Sequence, residues 1–548
     1  MRYLMTLLVI VGLGLAYLPS SFRNLSTAYL FEDDYDLIFD PARIPLIEGS
    51  RLYTNLSNLV TADEETFGQS TANFYMLGGS TKIGKFYPAV LYDHFAWKDP
   101  LWTGLRGQNN DSLYGEGEVT NIIWRDLDSN GTYDYKSVDS RWAQSWQDTS
   151  DMDFLIGFGK NMGEDKRIGL SYAFTSYQIK HINPDSNHVY DQNDSNLISG
   201  LYTFSRYDSA EGLSKTKGVY HNIHLSGWMD KEKWSAGIGV RFIPHSYTTE
   251  RNYFDTLYEN RSPSDTAIVD YYMKKVDAVS MRPYSGFIVP VTLKLFYNWN
   301  EKTQSRIYLT YGMGMTDLSD DAGGHEYIYK DTLYRPGQMI VNDTVQHFYT
   351  GERNDNWISL MTQHFFNVSE RFDLAFGLGF SNSTPVDELI DSAVTYRTTT
   401  FNHGDTLPDH DDYTAVTTGS EQWKTRTTGV VRTFTLPVGL EFKIFNPLVL
   451  RLGAEHTVTF SDSTTTDDLL RFVPQKIKTT YGDGVIEERM GTNQTRRPST
   501  ETEKETTHET EYCYGLGWAA TDNLQIDLMG FARLTDLTNW KLSVTFKF

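Results

Sequence analysis

The chain has 548 residues, with 71 Asp and Glu against 49 Lys and Arg and a formal charge of -22, and its pI is near 5.0. That acidic balance argues against a nucleic-acid partner, because neutralising phosphates takes a Lys/Arg surplus on the binding face, and only 39% hydrophobic residues excludes a bundle of membrane helices. A single cysteine, Cys513, excludes an intrachain disulfide framework and a Cys-based zinc cage, while 14% aromatic residues beside 42 Gly are a composition of strands and turns.

At the start, Met1-Arg2 and the apolar run from Leu4 to Leu18 predict a cleavable export signal over residues 1–20, with small residues at Gly14, Ala16, Ser20 and Ser21 as cleavage positions. The run is shorter than the ~20 residues of a spanning helix. No Cys follows it, which argues against a lipid anchor. Residues 21–71 alternate little and carry Glu32-Asp33-Asp34, Asp36 and the turn Asp40-Pro41-Ala42-Arg43. They are expected to form an N-terminal plug or periplasmic segment, followed by a barrel over residues 72–548.

Beyond this, period-two alternation recurs many times, as half-buried strands require. Fourteen strands are expected, near 118–126, 151–162, 166–181, 217–229, 233–248, 285–298, 305–318, 355–367, 371–382, 429–444, 447–460, 510–520, 523–533 and 539–548; candidates at 72–79 and 86–95 would make sixteen. In one of them Ile307, Leu309, Tyr311, Met313 and Met315 share a face opposite Arg306, Tyr308, Thr310, Gly312 and Gly314. Tight polar turns at 163–166, 230–233, 300–303, 368–371, 446–447 and 521–523 join the strands in pairs. The other connections are polar and about 35 to 50 residues long. This sorting of short periplasmic turns and long external loops predicts an antiparallel transmembrane β-barrel rather than a soluble sandwich. The apolar faces then point to lipid. Trp228, Trp234, Tyr297, Trp299, Trp518 and Trp540 near strand ends are expected at the headgroup boundary.

Few motifs point to chemistry. Asp126, Asp128, Asn130 and Asp134 have the D-x-D-x-N-G-x-x-D spacing of a calcium loop, but Ser137 stands where a bidentate Glu would close the shell, and Asn130-Gly131 is equally a hairpin turn. His508 lies in a solvated charge run and is read as surface. No G-x-S-x-G, H-E-x-x-H or G-x-x-x-x-G-K pattern is present, so no catalytic, cofactor-binding or metal residue is assigned and no enzyme is expected. Arg241, Arg306, Asp373, Glu441, Lys443, Arg451 and Glu455 are expected to face the lumen, as a permeation path or as salt-bridged filler. Cys513 has the same parity.

In the last segment, Trp540, Leu542, Val544, Phe546 and Phe548 alternate with Lys541, Ser543, Thr545 and Lys547. Together with the export signal, this terminal aromatic strand resembles the Gram-negative outer-membrane β-barrels. The resemblance implies outer-membrane lipid as the surroundings and the barrel-assembly machinery as a partner reading the strand that ends in Phe548. The Phe39-Asp40-Pro41-Ala42 stretch resembles the Asn-Pro-Ala element in the plug of the long-chain fatty-acid transporter family, with Asp40 in place of Asn. That family builds a fourteen-stranded barrel with an N-terminal hatch, and the resemblance implies hydrophobic cargo. The expected function is passive passage of a small hydrophobic solute across the outer membrane; the alternative is a structural, adhesive or secretion-partner barrel.

Overall fold

The computed structural model describes residues 21–57, 73–100, 102–106, 112–126, 135–182, 187–194, 204–261, 270–319, 321–334, 337–404, 409–491, 496–531 and 541–548. The expected signal, the calcium-like stretch beyond Asp126, and Trp540 lie outside the described residues. A short helix α1 (Phe22–Leu25) and two 3-10 turns (Asp36–Phe39 and Ile44–Leu46) precede the strands. These are β1 (Arg51–Ser57), β2 (Asn73–Ser80), β3 (Phe86–Pro100), β4 (Trp102–Arg106), β5 (Ser112–Arg125), β6 (Tyr135–Asn161), β7 (Lys166–Ile182), β8 (Asn187–Asp194), β9 (Phe204–Asp230), β10 (Trp234–Arg261) and β11 (Asp270–Asn300). They continue with β12 (Thr303–Leu318), β13 (Gly323–Tyr334), β14 (Gly337–Ser369), β15 (Phe372–Ser383), β16 (Val386–Asn402), β17 (Tyr413–Phe445), β18 (Leu448–Tyr481), β19 (Ile486–Met490), β20 (Ser499–Thr521), β21 (Leu524–Phe531) and β22 (Lys541–Lys547).

Sixteen of these close a ring in the order β1-β2-β3-β6-β7-β9-β10-β11-β12-β14-β15-β17-β18-β20-β21-β22, with β22 returning to β1 through antiparallel pairs from Arg51–Lys547 to Ser57–Lys541. The chain end is tied in at the same seam, where Phe548 N donates to Ser50 O at 3.0 Å and Ser50 N to Phe548 O at 3.3 Å. The count is therefore the alternative of sixteen, and its membership differs from the sequence reading in two places. The 118–126 segment lies in β5, which pairs with β4 and β6 and is no part of the ring. β1, inside the stretch assigned to the N-terminal segment and ahead of residue 72, supplies the missing wall strand. It is seven residues long, and its inward face carries both Tyr53 and Asn55, too short and too mixed a pattern to stand out by period.

The long polar connections are also different from open loops, for much of their length is β-ladder. Where β7, β12 and β15 end, β8, β13 and β16 take their places between the neighbours that run on. β17 and β18 reach 33 and 34 residues, whereas about 10 residues span a membrane. Threonine pairs such as Thr427–Thr465 at 3.0 Å and Thr464–Thr502 at 3.3 Å run up this extension. β-branched polar residues suit strands wetted on both faces.

Below the extension the faces are sorted as lipid requires. Ile307, Leu309, Tyr311, Met313 and Met315 point outward and are 38–53% exposed, a belt covering about 25 Å of strand. Polar residues such as Ser226, Gln363, Glu441, Arg451 and Asp527 point inward and are buried. Backbone groups find no partner in hydrocarbon, so only a ring without edges can present such a surface. The fold is an outer-membrane β-barrel, and among the described residues no helix is long and apolar enough to cross a membrane.

Candidate functional site: the N-terminal segment inside the barrel

Residues 21–50 lie inside the ring at the short-turn end, which is the periplasmic end of such barrels. The segment is first held to itself. Ser21 donates from N at 2.8 Å and from Oγ at 2.6 Å to the two carboxylate oxygens of Asp36, which also accepts from Asp33 N at 2.9 Å. Burial raises both Asp33 and Asp36 above the usual carboxylate range, with their mutual repulsion adding to the rise in Asp33. One apolar side of the segment, Tyr35, Ile38, Ile44 and Ile47, packs on inward residues Tyr53, Met76, Ala89, Leu91, Leu155 and Ala173 of β1, β2, β3, β6 and β7.

Three charged clamps fix it to the rest of the wall. In the first, Arg23 grips Glu441 on β17 through two bonds of 2.8 and 2.6 Å, and Glu441 in turn accepts from Arg451 on β18 at 3.0 Å, which reaches Asp527 on β21. In the second, Glu32 accepts both Arg43 bonds at 3.0 Å and one from Arg306 of β12 at 2.8 Å. Burial acts to raise the Glu32 pKa, but Arg43 and Arg306 outweigh it and hold the carboxyl at about 2. In the third, Asp40 accepts from Trp228 Nε1 of β9 at 2.7 Å and from Lys294 Nζ of β11 at 2.8 Å, while Ala42 N donates to Ser226 Oγ at 2.9 Å. Burial opposes ionisation of Asp40; Lys294 and the hydrogen bonds hold its pKa below the usual range. Arg43 and Arg306 also lie over the Phe296 ring at 5.3 and 4.8 Å.

Glycines in the wall make room for the segment's backbone. A Cβ on Gly169 would lie 2.0 Å from the Pro41 carbonyl carbon, and one on Gly439 would lie 2.5 Å from Thr27 O. No side chain larger than hydrogen fits there unless the segment moves. Cys513, half-buried, faces the same interior beside Gly453, the parity expected from the sequence.

Of the residues assigned to the lumen, Arg306, Glu441 and Arg451 are thus brought together by the segment. Lys443 lines a cavity of about 280 Å³ beside Arg23, Asp33 and Arg451. Asp373 stands opposite Glu441, Arg241 opposite His224, and Glu455 opposite Glu511. Trp228 corrects the aromatic assignment: it is 5% exposed and faces inward onto Asp40, while Trp299 and Trp518 are exposed on the outside. Sequence reasoning missed Trp228, Lys294 and Asp527 as anchors. Parity offered a signal for Trp228, since it is out of phase with the outward Ile223 and Leu225.

Further from the short turns, a second inward layer is aromatic. Tyr177 and Tyr220 stack at 5.5 Å and Tyr247 and Tyr284 at 4.8 Å, the Arg353 guanidinium lies 4.5 Å over Tyr284, and Arg353 donates to the Tyr247 hydroxyl at 2.8 Å.

No family model matches the chain and no curated protein matches it. Among solved structures it is similar to a TodX monoaromatic hydrocarbon channel mutant (9% identity, 95% of this chain and 98% of that chain, TM-score 0.31). It is similar to a Pseudomonas aeruginosa FadL homologue (11%, 96% and 98%, TM-score 0.20) and to the FrpB iron transporter from Neisseria meningitidis (10%, 94% and 83%, TM-score 0.26). At these values the similarity assigns neither a family nor a solute, and the fold stands on its own hydrogen-bonded ring.

Proposed function

We propose that the protein is a passive channel of the outer membrane for a small hydrophobic solute, with residues 21–50 as the plug that keeps the periplasmic end from leaking. The observation that carries this reading is the way the segment is held: through ion pairs and hydrogen bonds to β9, β11, β12, β14 and β17, which can part and re-form, in a ring whose sixteen strands enclose more than side chains alone fill. Hydrophobic cargo is supported by the inward tyrosine layer and by the rings of Phe296 and Phe365 around the plug. The Asp40-Pro41-Ala42 turn, with Pro41 fully buried at the third clamp, supports it as well. Deleting residues 22–47 and measuring single-channel conductance in a planar bilayer tests the plug. A rise is expected, and unchanged conductance from folded protein removes it.

A structural or adhesive barrel is the second reading, favoured by the wall that β17 and β18 carry far beyond the apolar belt. Solute uptake into liposomes separates the two, since an adhesive barrel has no need to pass hydrophobic molecules.

A further inference from the structure

On the lipid-facing side of the wall, β7, β9 and β10 bound a groove of about 510 Å³ at the short-turn end of the apolar belt. Its floor is Gly227 of β9. In the ladder Gly227 stands directly between Ile168 of β7 and Ile238 of β10, which are 45% and 49% exposed on the outside. Leu225 and Met229 flank it along its own strand on the same face. Four large apolar side chains therefore surround a position with no side chain at all. A Cβ on Gly227 would meet nothing nearer than Arg167 O at 3.9 Å, so no neighbour folds over to fill the space. Gly169 and Gly439 make room for the segment inside the ring; Gly227 points the other way and leaves room for something outside.

The groove lies where hydrocarbon surrounds the barrel, and strands held in a hydrogen-bonded ladder cannot close in on it, so its lining lacks contacts until a chain lies there. Met162, Ile168, Met229, Ala236 and Ile238 offer side chains of carbon and sulfur, which suit an acyl chain. One free charge stands at the mouth. Lys166 lines the groove on the rung of Met229 and Ala236, is exposed, and has no ion-pair partner among the described residues. Of the carboxylates on the adjoining turns, Asp165 is taken by Lys231 at 2.6 Å and Asp230 by Arg167 at 2.7 Å. Glu164 and Glu232 are exposed on the turns themselves, outside the lining, as is Lys233. A plain hydrocarbon would leave Lys166 unused, and a free anion would leave the groove unused. A phosphodiester carrying acyl chains uses both. We propose that the Gly227 groove holds one glycerophospholipid of the periplasmic leaflet, with an acyl chain laid along Gly227 and the headgroup phosphate on the Lys166 ammonium.

The test is native mass spectrometry of the full chain in detergent, titrated with dioleoylphosphatidylglycerol, with folding checked by heat-modifiable migration. Wild type should retain one lipid. Gly227→Phe fills the groove from the open side and should weaken that lipid at least about 10-fold, and Gly227→Leu serves the same purpose should the larger ring hinder folding. Lys166→Gln keeps the groove and should weaken it about 5-fold. Ile307→Phe, on the outward face of β12, should leave it in place. Equal retention by wild type and the Gly227 variants overturns the proposal. So does retention of dioleoylglycerol as strong as that of the phospholipid, the signature of a groove that takes chains alone, or displacement of the lipid by millimolar inorganic phosphate, the signature of a free-anion site at Lys166.

Discussion

Asp40→Ala tests the third clamp most sharply. In the intact protein the Asp40 side chain is 6% exposed and the Lys294 side chain 16%, so the pair is desolvated and its partners have little water to turn to. Removing the carboxylate strands the Lys294 ammonium against Trp228, whose indole N-H loses its acceptor as well. Leaving one partner of a buried pair uncompensated costs about 3 to 5 kcal/mol, and even 3 kcal/mol moves a local docking equilibrium more than 100-fold. Hydrogen exchange read on a peptide spanning residues 36–47 should therefore quicken by roughly that factor, while β17 and β18 stay protected. Asp40→Ala/Lys294→Met should recover most of the loss, because the stranded charge is gone. Exchange that is unchanged in the single variant, or no slower in the double, refutes the claim that this ion pair docks the turn.

Gly169→Ala should displace the 40–45 turn, since the new Cβ meets main chain at 2.0 Å, whereas Gly227→Ala, whose nearest neighbour is Arg167 O at 3.9 Å, should be silent; protease nicking of the segment in detergent compares them. Glu32 titrates from about 4.5 unfolded to about 2 folded, so its contribution is complete above about 4.5 and fades as pH falls toward about 2. The stability gap between wild type and Glu32→Gln should close over that window, seen as converging protection of residues 30–47. Asp33 and Asp36, whose pKa values are raised, gain stability in acid and partly offset the loss in both proteins alike. Phe548→Ala should lower the yield of heat-modifiable protein, because the last strand closes on β1 and Ser50; wild-type yield speaks against that role. Cys513→Ser should cost much less, the thiol being only half-buried.

Strands were legible because one lipid face and one inner face impose a period of two, and the outward run from Ile307 to Met315 shows it without ambiguity. Period does not report neighbours. The 118–126 segment is strand yet pairs within the extension, and Arg51–Ser57 belongs to the ring although its short pattern is mixed. The inward direction of Arg306, Glu441 and Arg451 followed from parity; their partners did not. Those partners sit on a segment of turns and one short helix, where no repeat links sequence distance to spatial distance, so Arg23 and Glu441, 418 positions apart, meet only in the folded molecule.

The ring order also constrains how the molecule comes into being. Nearly every wall contact joins strands that follow one another along the chain, the long β17–β18 hairpin above all, so most of the sheet can zip locally with little loop entropy to overcome. The pairing of β1 with β22 is different, since it waits for the last residues to be made. Because residues 21–50 touch β9, β11, β12, β14, β17 and β18 from within, a segment near the start of the chain is the one whose contacts wait longest, until strands from both halves of the chain stand around it.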